Sequence, residues 1–199
     1  EDIALSSDPR IVNSDGAAFN SHASIKVYGN SNGFLHSYAT TRHSLSCMLI
    51  AQQQQEMQRD YSYTSSRDVK ELLSAKWVAE DAVKRTVEHL GAAKIKTQES
   101  PVIFAPEVAS GLFGHLVSAI SGMSLYKKSS FLLDSLDTQI FPDWMQITED
   151  PHIIKGIASS PYDQEGGKTT KRNIIEDGIL QTYLLPGYAA RKLKMKSTG

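Results

Sequence analysis

Apolar and polar residues alternate from Ser21 to Gly29, where Ala23, Ile25 and Val27 interleave with Ser24, Lys26 and Tyr28. A period of two predicts a half-buried strand. Gly29-Asn30-Ser31-Asn32-Gly33 follows as a turn cluster, and residues 34–41 return as the partner strand. Residues 44–51 predict a third strand, closed by the polar loop 52–55. In a fourth, Met57, Arg59, Tyr61 and Tyr63 alternate with Gln58, Asp60, Ser62 and Thr64. Strands joined in order by short turns form an antiparallel meander. Over residues 75–90 the period lengthens. Ala79, Val83, Val87 and Leu90 make one apolar stripe, with Glu80–Lys84 and Asp81–Arg85 as i,i+4 pairs on the wet face. Gly91 ends that helix.

Further along, Val102, Ile103 and Phe104 predict a short buried strand. Pro106 then opens a helix, since the N–H that proline lacks is unpaired there in any case. This helix is apolar nearly all round and carries Gly111 and Gly114, a pattern that predicts burial against a closely packed backbone. Ile174 and Ile175, then Glu176-Asp177-Gly178, then residues 179–185 read as a hairpin with an Asp-Gly turn. Together these elements predict a single α+β domain over residues 1–199, an antiparallel sheet or barrel-like body with a few packed helices.

Composition narrows the class. The 199 residues are 40% hydrophobic and 22% charged, the balance of a globular protein. A formal net charge of −1 gives no bulk attraction to nucleic acid or anionic membranes. No apolar run reaches the roughly 20 residues of a membrane span, and no secretory signal is expected. One cysteine, Cys47, forms no internal disulfide, so a reducing, cytoplasmic location is expected.

The helix opened by Pro106 has the layout of a zinc-hydrolase helix, His-Glu followed by a second His about a turn later, with both imidazoles replaced. Glu107 keeps the acid and is the candidate catalytic residue, as a general base. The plainer reading is a carboxylate favoured by the exposed N–H groups and dipole of a helix start. His115 lies two turns on, too far to share an ion with Glu107, and is expected as a hydrogen-bonded core histidine. His22, His36, His43, His89 and His152 lack paired-ligand spacing, so no metal and no cofactor is assigned. Gly166-Gly167-Lys168-Thr169 is no phosphate loop, because Tyr162 stands where the leading glycine belongs and a strand follows instead of a helix. Ser124 and Lys127 match Ser-x-x-Lys without its companion motifs. Arg191, Lys192, Lys194 and Lys196 form the one basic cluster, with no interleaved aromatic, and read as a solvated edge. Cys47, in an apolar strand, reads as a small buried side chain.

Residues 101–116 resemble the TldD/PmbA (modulator of DNA gyrase) family, in which TldD carries a His-Glu-x-x-x-His helix. On that motif Pro106 and Gly111 take the histidine positions and Glu107 the acid, the departure that TldE (PmbA) members show. IVNSDGAAFNSH (11–22), TTRHSL (40–45), KKSSFLLDSL (127–136), IASSPYDQEG (157–166) and the stretch 176–199 extend the resemblance over nearly the whole chain. It implies a TldE/PmbA-like C-terminal domain, a fragment of a longer chain. It also implies the non-catalytic subunit of a cytoplasmic TldD/TldE-type metalloprotease that degrades or processes peptides, including peptide antibiotics and an antitoxin. Zinc is then expected in the TldD-type partner and none in this chain. Pro106, Glu107, Gly111 and His115 become the candidates to face that partner or the peptide, with self-association expected when the chain is alone. The alternative, preserved in the family's name, is a regulator that binds DNA gyrase or DNA without enzymatic activity.

Overall fold

The alternation between Ser21 and Thr64 does form β-structure, but in three strands where four are expected. The computed structural model describes all 199 residues. Where one domain is expected, the chain divides into two compact units. Residues 1–29, 35–98 and 155–157 form the first, and residues 30–34, 99–154 and 158–199 the second. Each gathers its own apolar core.

In the first unit α1 (Asp2–Ser7) precedes β1 (Ile11–Gly29), β2 (Leu35–Gln53), β3 (Glu56–Ser66) and α2 (Ala75–Glu88). The sheet has the order β1-β2-β3 and is antiparallel throughout. The second and third expected strands fuse into β2 because the residues between them keep their ladder partners: Arg42 opposes His22, and His43 opposes both Ser21 and Ser66. Leu49, Ala51 and Cys47 fill the core beneath Val78, Ala79, Ala82 and Val83 of α2. Cross-strand pairing puts Ser62 on the same face as Cys47, so β3 buries Ser62 and Thr64 and leaves Tyr61 and Tyr63 exposed, stacked at 6.1 Å. Ser62 Oγ donates to Asp81 Oδ2 at 2.6 Å, which satisfies the buried hydroxyl. The expected half-burial of β1 fails. Ile25 is 72% exposed, because α2 lies over β2 and β3 and does not reach that end of β1.

The α2 helix starts where the Trp77 N–H donates to Ser74 Oγ at 3.1 Å, a side-chain cap. Of its stripe, Ala79 and Val83 are buried while Val87 and Leu90 are half-buried, and Gly91 follows in the left-handed region at φ 76°. Ion pairs on its wet face include Lys76–Glu80 and Lys84–Glu88. Asp81 also accepts from Ser62, and Arg85 lies 3.5 Å from Asp60.

The second unit holds α3 (Pro106–Ala119), α4 (Gly122–Tyr126), β4 (Ile147–Glu149), β5 (Arg172–Glu176), β6 (Ile179–Leu180) and α5 (Gly187–Leu193). Its antiparallel sheet has the order β4-β5-β6. The Asp-Gly hairpin forms, with Asp177 at φ 50° and Gly178 at φ 75°, the pair of positive angles that a type I′ turn needs, but its second strand stops at Leu180, short of the expected Leu185. Ile120, Ile175 and Leu180 are fully buried among Leu116, Leu125, Leu185, Ala190 and Tyr183. Two open three-stranded sheets and five α-helices give the expected α+β class, and neither sheet closes into a barrel. No helix is long and apolar enough to cross a membrane.

Candidate functional site

Pro106 occupies the first turn of α3, and Ala105 takes the N-cap without a side-chain bond; its carbonyl accepts from the N–H groups of Val108 (3.0 Å) and Ala109 (2.8 Å). That entry leaves Glu107 in the first turn, where its charge faces the positive end of the helix dipole. Glu107, Gly111 and His115 follow one another at i, i+4 and i+8, so they share one stripe of α3 over about 12 Å of rise. Pro106, one residue before Glu107, is turned about 100° away from it. All four are exposed.

Two expectations fail here, for one reason. The strand over Val102, Ile103 and Phe104 does not form: these residues join neither sheet, and Ile103 is 97% exposed. The α3 helix is not enclosed either. Only Leu116 and Ala119 reach the core, while Val108, Leu112, Phe113 and Val117 stay exposed and a Cβ on Gly111 or Gly114 would meet nothing within 4 Å. The second core is anchored by the last turn of α3, so the turns before it project from the packed body. His115 accordingly lies on the surface and not in the core.

The family's zinc does not fit these residues. Pro106 and Gly111 have no donor atom in their side chains, and Glu107 is the one ligand left where catalytic zinc takes about three. Nor do any three His, Cys, Asp or Glu side chains elsewhere converge to hold a metal ion. His43 Nδ1 pairs with Ser21 Oγ at 2.9 Å, and His152 Nε2 with Thr169 Oγ1 at 3.2 Å, two separate polar contacts.

The Gly166-Gly167 stretch turns its amide toward a carboxylate, since the Gly167 N–H donates to Asp163 Oδ1 at 2.6 Å. A phosphate would meet like charge there. Of the basic cluster, Lys192 rests over the Tyr188 ring at 5.6 Å. Cys47 is 4% exposed, and desolvation pushes its thiol pKa up, which keeps it protonated and unreactive.

Two cavities beside α3 have no counterpart among the sequence expectations. One of about 160 Å³ is lined by Phe113, Leu116 and Val117 of α3 and its C-cap Ile120, with Ile147 and Ile174 of the sheet. The other, about 460 Å³, shares Val117, Glu149 and Leu184 with it and adds Asp163 and Glu165. Their residues lie up to about eighty positions apart, from Val117 to Gly199, and Ile147-Thr148-Glu149 is too short to register as a strand. The Asp-x-Glu spacing at Asp163 and Glu165 was the one local signal.

Two family models match the chain: the PmbA/TldA metallopeptidase central domain over residues 1–90 and its C-terminal domain over residues 97–199. The chain is 54% identical over all 199 residues to metalloprotease PmbA of Escherichia coli O157:H7, of which it covers 44%. It is 51% identical to the metalloprotease PmbA homolog of Haemophilus influenzae, again over 44% of that protein. It thus spans less than half the length of these curated relatives. The crystal structure of a proposed modulator of DNA gyrase from Bacteroides thetaiotaomicron superposes with a TM-score of 0.93 at 29% identity, covering 99% of this chain and 46% of that one. TldE from Thermococcus kodakarensis shares the fold, with a TM-score of 0.82 at 23% identity over 92% of this chain and 41% of its own. With both units matched along their length, the chain belongs to the PmbA/TldA metallopeptidase family.

Proposed function

We propose that this chain is part of a TldE-type, non-catalytic subunit of a cytoplasmic TldD/TldE-type metalloprotease that degrades or processes peptides. The observation that carries the reading is the substitution at the two histidine positions of α3, where Pro106 and Gly111 preserve the helix and remove both imidazoles. Zinc in the TldD-type partner supplies the hydrolytic water of the reaction. This chain supplies surface: Glu107, Gly111 and His115 on one stripe of α3, and the apolar side chains Val108, Leu112 and Phe113 beside them, are presented outward for a partner or a peptide. The experiment uses the full-length parent and a TldD-type paralogue, alone and mixed, with an unfolded fluorogenic peptide. Cleavage is expected in the mixture and not with the parent alone. Equal cleavage with and without the parent would remove the subunit role, and cleavage by the parent alone would remove the non-catalytic one.

A further inference from the structure

The second unit has an open strand edge beside two joined cavities of different chemistry. Within these 199 residues, β4 pairs on one side with β5 and has no neighbour on the other. No backbone bond from outside the sheet reaches Ile147, Thr148 or Glu149, so one row of main-chain N–H and C=O groups is free to pair. The smaller cavity against this strand is apolar, walled by Phe113, Val117, Ile147 and Ile174.

The larger cavity, continuous with it through Val117, Glu149 and Leu184, is acidic. Glu149 is matched by Arg172 at 2.7 Å. Asp163 Oδ1 accepts from the N–H groups of Glu165 (2.9 Å) and Gly167 (2.6 Å), and Glu165 Oε2 from that of Gly187 (2.6 Å). Neither Asp163 nor Glu165 forms a close ion pair, although the Arg191 guanidinium lies near Glu165 beside Gly187, and no Lys or Arg lines the cavity. An acidic lining beside an apolar slot complements a cation next to a hydrocarbon side chain.

An extended peptide meets both demands at once. Its main chain adds to β4 by hydrogen bonds that tolerate any sequence, and side chains two positions apart point the same way, about 7 Å from each other. We infer that this unit itself grips peptide substrate, selecting segments with an apolar residue and a Lys or Arg two positions apart. The inference rests on the reading of the chain as a subunit of a peptide-processing assembly, and adds that capture occurs on the subunit lacking the metal ligands.

Fluorescence anisotropy tests it on the full-length parent without any TldD-type partner, using labelled, end-blocked alanine-glycine peptides that carry Leu and Lys two positions apart in either order. Saturable binding is expected. Replacing the peptide's Lys by Glu, or its Leu by Asp, weakens binding by about tenfold or more, and so does about 1 M salt for the Lys peptide. Val117→Asp, at a half-exposed position, abolishes binding while the melting temperature holds. Glu165→Gln, which keeps the oxygen that Gly187 uses, lowers affinity for the Lys peptide and leaves that of its norleucine analogue unchanged. Absence of binding, indifference to the Lys-to-Glu change, or full binding by Val117→Asp would overturn the inference. A groove already filled by another part of the parent chain gives the first of these results. Cleavage by the mixed assembly is scored separately, so the groove can fail while the subunit role stands.

Discussion

Tyr183 holds two main-chain groups with one hydroxyl. Its oxygen accepts the Ser135 N–H at 2.9 Å and donates to the Leu132 carbonyl at 2.8 Å, and the ring is buried in the second core. Tyr183→Phe keeps the ring and strands both partners, which is expected to cost about 1–3 kcal/mol in a denaturant titration. Asp8 gives a different kind of residue-scale expectation. The side chain of Arg10, then its backbone N–H, hold the Asp8 carboxyl down from 3.8 to about 2. A carboxyl with a lowered folded pKa contributes stability above about pH 4 and loses it as the pH falls through about 2. The pair is largely solvated, so the effect on stability is small. A carbon-13 NMR titration is the direct readout: Arg10→Ala returns the Asp8 midpoint toward the ordinary carboxylate range, and an unmoved midpoint would refute the assignment.

Among elements, two glycines that look alike in the sequence have opposite expectations. Gly111 sits mid-helix on α3 with open space around the missing Cβ, so Gly111→Ala is expected to stabilise by about 0.5–1 kcal/mol. Gly178 has φ 75°, and a Cβ there would lie 2.6 Å from the Pro142 carbonyl oxygen. Gly178→Ala is expected to destabilise by about 2 kcal/mol or more, measured in the same denaturation series. These cases also mark what was legible in advance. The α2 stripe, the Pro106 helix start and the Asp177-Gly178 turn rest on chemistry within a few residues, so the sequence alone displays them. Burial of α3 and continuity of β2 depend on distant segments: which core the helix reaches, and whether Arg42 and His43 keep ladder partners. The candidate stripe on α3 was legible as a missing pair of imidazoles. The cavities were not, because Val117, Ile147 and Glu165 come together only once the chain has folded.

For the whole molecule, the succession Val102, Ile103, Phe104, Val108 and Leu112, all exposed, is more contiguous apolar surface than scattered single residues explain. The subunit reading gives that surface a cover in a second chain. It also makes a metal prediction for the full-length parent, which after zinc loading and dialysis is expected to hold well under one ion per chain by atomic absorption. Stoichiometric zinc that survives dialysis would end the non-catalytic assignment. The deep placement of Cys47 between β2 and α2 has one more use. An alkylating reagent such as iodoacetamide can reach this sulfur only when the first unit opens, so in these 199 residues the speed of carbamidomethylation by mass spectrometry becomes a clock for that opening. Leu49→Ala, which hollows the surrounding core, should make the clock run faster at unchanged reagent concentration.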